Sequence, residues 1–269
     1  MALWTPADTT TAIWLDAADA STLFDATTGG SLVASDGAVA RIEDKSGNAR
    51  HLTQGTLLSR PLRKTSIQNS LDVLRFDGSN DWLESTFAAW GTSHAVIVVG
   101  RATNAATATA GYFVCRSNSS ALPINPQVSQ NAGASQFNVR DDAGVINSTS
   151  IPGLANNTWY LLGGTRSGNV VTPYRDGTAG TLASNSLGAI TPNRTTIGSL
   201  YAGGATPTSY LSGDIGEVIV CGLADRQKVE GYTAWRWGLQ GGLPNDHPYK
   251  NGPPTKGGNA AVHFFTFGY

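Results

Sequence analysis

The stretch Ser212 to Pro254, SGDIGEVIVCGLADRQKVEGYTAWRWGLQGGLPNDHPYKNGPP, constrains the chain more than any other. Ile215 to Cys221 is β-branched and apolar, so it reads as a central strand covered on both faces. Ala224 to Leu239 reads as a helix, its substance near residues 225 to 238. Asp225 stands at the N-cap, where negative charge suits the helix dipole. Val229, Tyr232, Trp235 and Leu239 fall at spacings of three and four and make one apolar stripe. Gly238 and the Gly241-Gly242 pair end the helix. Pro244, Pro248, Pro253 and Pro254 then bar the following segment from helix or central strand. Gly231 costs about 1 kcal/mol inside a helix relative to Ala, which predicts close approach to a neighbouring strand. Trp237 lies off the stripe and is expected under the proline-rich segment. Tyr232, Trp235, Trp237, His247 and Tyr249 are therefore assigned to a structural clasp, a helix that plugs the end of a β-sandwich.

The rest of the chain reads as strands. His94 to Arg101, HAVIVVGR, is an unbroken apolar run that predicts cover on both faces. Ala12–Asp16, Val39–Glu43, Asp72–Phe76, Trp82–Thr86, Gly111–Arg116, Ser135–Arg140, Thr158–Thr165, Val170–Arg175 and Thr195–Tyr201 complete the set, separated by Gly- and Asp-rich turns. Ser117 to Ala134 and Ala202 to Ser209 read as loops. One helix, many strands and no βαβ alternation predict an all-β, two-sheet antiparallel sandwich. The charged fraction of only 14% and the 32 glycines agree. No linker-like stretch precedes Asn251, so residues 1–254 are expected to form one domain.

A net charge of −1 gives no electrostatic drive toward nucleic acid. The basic run Arg60 to Lys64 is short and reads as a solvated loop. No apolar run approaches the roughly 18 residues of a membrane span. Taken as a natural start, MALWTPADTT lacks the basic and apolar regions of a signal peptide and predicts a cytoplasmic origin. The two cysteines, Cys115 and Cys221, are then expected to be buried and unbridged.

Three runs in the N-terminal half, AIWLDAADASTLF, IEDKSGNARHLTQ and LRFDGSNDWLE, precede the C-terminal GDIGEVIV, VEGYTAWRWGL and LPNDHPYKNGPP. In that order they resemble the laminin-G-like, concanavalin A-like jelly-roll domains of bacteriophage virion proteins and large bacterial surface proteins. The resemblance covers residues 4 to 254. It implies a jelly roll and a non-enzymatic role on a virion exterior, as a capsid decoration or part of a tail fibre. Other virion proteins, the chain itself as a homo-oligomer, and a host-surface glycan are the partners it implies. The alternative is a glycan-binding adhesion module.

Such domains often hold Ca²⁺ at a sandwich rim, and Asp77, Asn80 and Asp81 are the best hard-oxygen cluster here. The same Asp-Gly-Ser-Asn-Asp composition is also that of an ordinary turn. No other cofactor is implied. A glycan site needs an exposed aromatic plate, for which Trp90, Tyr112, Tyr174, Tyr201 and Tyr210 are the candidates. Catalysis has less support. Glycoside hydrolysis needs two carboxylates flanking the bond. Glu43-Asp44 and Asp141-Asp142 are adjacent and would point to opposite faces of a strand. Glu217 stands alone in mid-strand, where a buried ion pair with Arg75 or Arg194 is expected. No GxSxG, Walker A or HExxH occurs, and the histidines share no ligand spacing.

Residues 255–269 are set apart. Thr255 to Asn259 reads as a connector. In Ala260 to Tyr269, Val262, Phe264 and Thr266 alternate with Phe265, Phe267 and Tyr269, a strand period rich in aromatics. Val262, Phe264, Phe265, Phe267 and Tyr269 predict an assembly strand on a partner, with the protein's own sheet edge as the alternative.

Overall fold

The computed structural model describes residues 2–87, 91–106, 108–116, 126–201 and 206–257. Two antiparallel sheets face each other across one core. In the eight-stranded sheet the order is Thr178–Ala179, Val170–Arg175, Tyr160–Ser167, Ser93–Ala102, Ser212–Cys221, Leu71–Asp77 and Leu62–Gln68. Thr11–Asp16 is the eighth strand. It shares one edge of Ser212–Cys221 with Leu71–Asp77, the first pairing residues 217–221 and the second residues 212–215. The nine-stranded sheet runs Ile146–Pro152, Ala134–Arg140, Gln127–Asn131, Thr109–Arg116, Arg194–Ile197, Leu83–Ser85, Leu52–Thr53, Arg41–Ile42 and Leu23–Phe24. Gln127–Asn131 lies where the sequence reads as loop. Val128 is its one apolar residue, too little for period to give a signal, yet it pairs along its whole length with Ala134–Arg140.

The apolar runs are covered on both faces, as their unbroken hydrophobicity predicts. Val96, Val98, Val218 and Val220 enter the core between the sheets. The alternate residues Ala95, Ile97, Ile219 and Cys221 turn outward and pack under Trp4, Trp14 and Val229. Val73, Val99 and Leu161 do the same beneath Ala234, Trp237 and Leu243. The clasp thus lies over the outer face of the eight-stranded sheet, rather than across the end of the sandwich.

The helix spans Arg226–Arg236, preceded by a 3₁₀ turn at Leu223–Asp225 and followed by another at Gln240–Gly242. Asp225 makes no side-chain cap; its carboxylate accepts the Thr9 hydroxyl at 2.5 Å. Two expectations exchange places. Trp237 is fully buried on the sheet, where Gly216 makes room for its ring. Trp235 instead meets the proline-rich segment, its indole N–H donating to the Tyr249 carbonyl at 2.8 Å. The close approach at Gly231 is to the Tyr249 side chain and not to a strand. Among the described residues no helix is long and apolar enough to cross a membrane.

Both ends of the described chain are tied together. Leu3 bridges Thr255, and the Trp4 N–H donates to the Pro254 carbonyl at 3.0 Å. Lys256 donates its N–H to Ala2 and pairs with Asp8 at 2.7 Å. Thr255 and Lys256 therefore belong to the body, and the connector does not begin at 255. The assembly residues 262–269 and Trp90 lie outside the described residues.

Candidate functional site

The register of the nine-stranded sheet builds a polar face by alternation alone. Ile42, Leu52, Leu83, Ile197, Val128 and Phe137 enter the core, so their neighbours in each strand turn outward. Cross-strand pairing aligns those neighbours in one row: Arg41, Thr53, Glu84, Thr196, Val114, Gln127, Asn138 and Ser148. Every member but Val114 is polar. Thr196, Val114 and Gln127, mid-row, are buried. At the Thr53–Glu84 end the row opens into a groove of about 500 Å³ lined by Arg41, His51, Gln54, Trp82 and Glu84 among others.

The groove is held rigid by its own hydrogen bonds. Arg41 lies over the Phe24 ring, donates to the Ala26 carbonyl at 3.1 Å and pairs with Glu43 at 3.2 Å. The His51 Nδ1 accepts the Asp44 N–H at 3.0 Å. With Nδ1 accepting, Nε2 is the ring nitrogen left to donate. Gln54 donates to the Trp82 carbonyl at 3.3 Å and accepts the Thr56 N–H at 2.9 Å. The half-buried Trp82 ring supplies the aromatic surface.

Glu84 joins the groove to a second layer. Its Oε2 accepts from Arg116 Nη2 at 2.8 Å, the Thr196 hydroxyl at 3.0 Å and the Tyr201 hydroxyl at 2.7 Å. Arg194 approaches its Oε1 at 3.3 Å. The Arg116 guanidinium sits 3.6 Å above the Tyr201 ring. Burial and the adjacent Glu84 carboxylate push the Tyr201 hydroxyl pKa up. Arg116 is only 3% exposed, and its Nε and Nη1 find no hydrogen-bond partner among the described residues.

The aromatic candidates do not converge. Tyr112 is a core residue whose hydroxyl donates to Gln130 at 2.9 Å. Tyr201 is buried beneath Arg116. Neither offers a face to a sugar. Tyr174 lies on the opposite sheet under the Arg226 guanidinium, at 4.0 Å. The Tyr210 hydroxyl donates to the Pro207 carbonyl at 3.0 Å. The platform that the groove does contain, Trp82, stands inside LRFDGSNDWLE. Its signal was phase: Trp82 and Glu84 alternate with the core residue Leu83.

Asp77, Asn80 and Asp81 close their turn. The Asp77 Oδ1 accepts the Ser79 and Asn80 N–H groups at 2.7 and 3.2 Å, and Asp81 accepts the Asp77 N–H at 3.0 Å. Burial raises the Asp81 pKa to about 6. No group of three or more carboxylate, histidine or cysteine ligands suited to a metal occurs among the described residues.

Glu217 is buried, but neither Arg75 nor Arg194 is its partner. Arg75 and Arg101 hold Asp214 at 2.7 and 2.6 Å, while Arg194 holds Glu84. Glu217 accepts the indole N–H groups of Trp14 at 2.6 Å and Trp237 at 2.8 Å, with Arg236 at 3.9 Å. In the clasp, His247 Nε2 meets Glu230 at 3.2 Å, and Tyr232 packs edge-on against Trp4 and Trp14.

No protein-family model matches this sequence, and no curated protein matches it. Solved structures do. The botulinum neurotoxin serotype D ligand-binding domain in complex with N-acetylneuraminic acid superposes with a TM-score of 0.54 at 10% identity, over 79% of this chain and 47% of that one. The type G receptor-binding domain gives 0.52 at 11% identity over 79% and 47%. A type C structure, whose cell entry is described as dependent upon interaction with two ganglioside molecules, gives 0.52 at 10% over 79% and 48%. The chain spans about half the length of these proteins. At such identities the likeness is one of fold: this chain is an all-β, two-sheet antiparallel sandwich of the concanavalin A-like jelly-roll type with one C-terminal helix.

Proposed function

We propose that this protein is a non-enzymatic glycan-binding module whose ligand lies in the groove over Thr53, Trp82 and Glu84. The observation that carries the reading is the half-buried Trp82 ring set among hydrogen-bonding groups already fixed by their own neighbours. Preorganised polar groups around an aromatic surface are what a polyhydroxylated ring needs, because little entropy is lost when they are engaged. Arg41 and Glu84 are the charged side chains among the described lining residues, so the groove is balanced in charge, and the array that tests it carries neutral and acidic sugars alike. Binding to N-acetylneuraminic acid and gangliosides by proteins of the same fold is compatible with this, as analogy.

The groove argues against hydrolysis. Glu84 is the one carboxylate among its described lining residues, and both its oxygens are engaged. A two-carboxylate glycosidase mechanism has one candidate group among the described lining residues. Display on a virion exterior rests on the sequence resemblance alone and is tested by mass spectrometry of purified particles. An open, polar groove implies weak single-site affinity, raised by multivalent display.

The test is a glycan array carrying neutral and acidic sugars, followed by titration calorimetry on any ligand found. Trp82→Ala is expected to weaken binding about tenfold, the equivalent of one lost aromatic contact, with the circular dichroism spectrum unchanged. An array with no ligand, or affinity untouched in Trp82→Ala, refutes the proposal.

A further inference from the structure

On the opposite side of the sandwich from the polar face, the clasp leaves an apolar groove of about 450 Å³. Leu3, Trp4, Tyr232, Trp235, Pro253 and Pro254 line it. Leu3 is 59% exposed, and Tyr232 and Trp235 are half-buried. The Trp235 indole N–H is already donated to Tyr249, so its ring asks no polar partner of an occupant. Apolar surface gathered in a groove of this kind marks a docking site.

The chain itself forms one wall. Residues 254 to 256 run antiparallel to residues 2 to 4 through the Trp4–Pro254 and Lys256–Ala2 bonds. Lys256 is further pinned by Asp8. At Gly257 the backbone takes φ +74°, a conformation in a turn that glycine adopts readily. The wall thus ends in a change of direction.

We infer that this groove seats the aromatic segment of the same molecule, residues 260–269. Gly257 is three residues beyond Pro254 and therefore within about 11 Å of the wall. Residues 258–261 extend the reach by about 14 Å, more than enough to return. A tether that short gives an effective concentration in the millimolar range, which a second copy free in solution does not match. The chemistry also fits. Val262, Phe264, Phe265, Phe267 and Tyr269 carry apolar surface, and Trp, Tyr and Pro walls receive aromatic rings edge-on or stacked. Seated there, the segment covers the seam between the N-terminal residues and the helix. The glycan groove, on the far sheet, stays clear.

The experiment compares the full chain with one ending at Gly257, which keeps every described wall contact. Hydrogen–deuterium exchange is followed at residues 2–5 and 232–236, with acrylamide quenching of tryptophan and light scattering beside it. Truncation is expected to speed exchange at both sites roughly tenfold, as a local cover is removed, to raise quenching, and to leave the mass unchanged apart from the deleted residues. The full-length double variant Phe264→Asp/Phe267→Asp is expected to reproduce this, and stands in should the truncated chain fail to fold. Exchange unchanged in both overturns the inference. So does a truncated chain that falls to a lower oligomeric mass, because the segment then sits on a second copy.

Discussion

At the scale of single residues, the clearest departure from ordinary behaviour is Glu217. Burial pushes its pKa up to about 7, the buried Asp16 carboxylate adds to the rise, and Arg236 with the two indole N–H groups oppose it. The folded-state pKa lies above the unfolded one. Between the unfolded value near 4.5 and about 7 the native state therefore binds more protons, and stability falls as pH rises through that window. Burial raises Asp81 and Asp176 to about 6 as well, with the same sign. The difference between wild type and Glu217→Gln isolates the Glu217 share. Urea midpoints at pH 5 and pH 8 are expected to differ less in Glu217→Gln than in wild type. At pH 5 the variant is expected to be the weaker, because a glutamine has one oxygen for two indole donors and an unmet buried donor costs about 1–3 kcal/mol. Equal pH slopes would show that Glu217 ionises no differently in the folded protein. The sequence announced that this carboxylate was buried, through its place in GDIGEVIV. It did not announce its partners, because Trp14, Arg236 and Trp237 come from strand and helix positions brought together only by tertiary packing.

At the scale of elements, the strands and the helix were legible wherever the pattern had a single period. HAVIVVGR and DIGEVIVC read as doubly covered strands and are so. The helix was legible in extent, but its buried face was not. Val229, Glu230, Thr233, Ala234 and Trp237 turn inward, and two of these are polar, so a stripe drawn through apolar residues alone tilted toward Tyr232 and Trp235. Gly231 shows how propensity and packing compete here. Replacing it with alanine gains about 1 kcal/mol of helix propensity. The new Cβ, however, would lie 2.5 Å from the Tyr249 Cβ, and overpacking of that kind costs typically 1–3 kcal/mol. Gly231→Ala is therefore expected to be neutral to about 2 kcal/mol less stable by urea unfolding, although the change improves the helix in isolation. A stabilised variant would mean that Tyr249 and the proline-rich segment move aside freely. The groove over Thr53, Trp82 and Glu84 was less legible than either element. Phase marked Trp82 and Glu84 on either side of Leu83, but Arg41 and Thr53 come from the two-residue strands Arg41–Ile42 and Leu52–Thr53, too brief for a period to declare which side chain faces out.

At the scale of the whole molecule, the layers set an order of opening. Cys115 is buried in the core between the two sheets, hydrogen-bonded to Thr195 at 3.4 Å. Cys221 is buried on the other side of the eight-stranded sheet, under Trp4, Trp14 and Val229. A sheet separates the two thiols, and they are not bridged to each other. Each reports the integrity of a different layer. Exposing Cys221 needs the clasp and the N-terminal segment packed with it to lift, which leaves the core between the sheets intact. Exposing Cys115 needs the sheets to part, which breaks the larger core. Segments with fewer apolar contacts open at lower free energy, so Cys221 is expected to become reactive at lower urea than Cys115. Burial pushes the Cys221 thiol up to about 12, so it stays unreactive while the clasp is closed. Pulsed alkylation across a urea series, read by peptide mass spectrometry, gives the two midpoints separately. Coincident midpoints would mean that clasp and sandwich unfold as one cooperative unit, with the Trp14–Glu217–Trp237 hydrogen bonds joining the layers as firmly as the core joins the sheets.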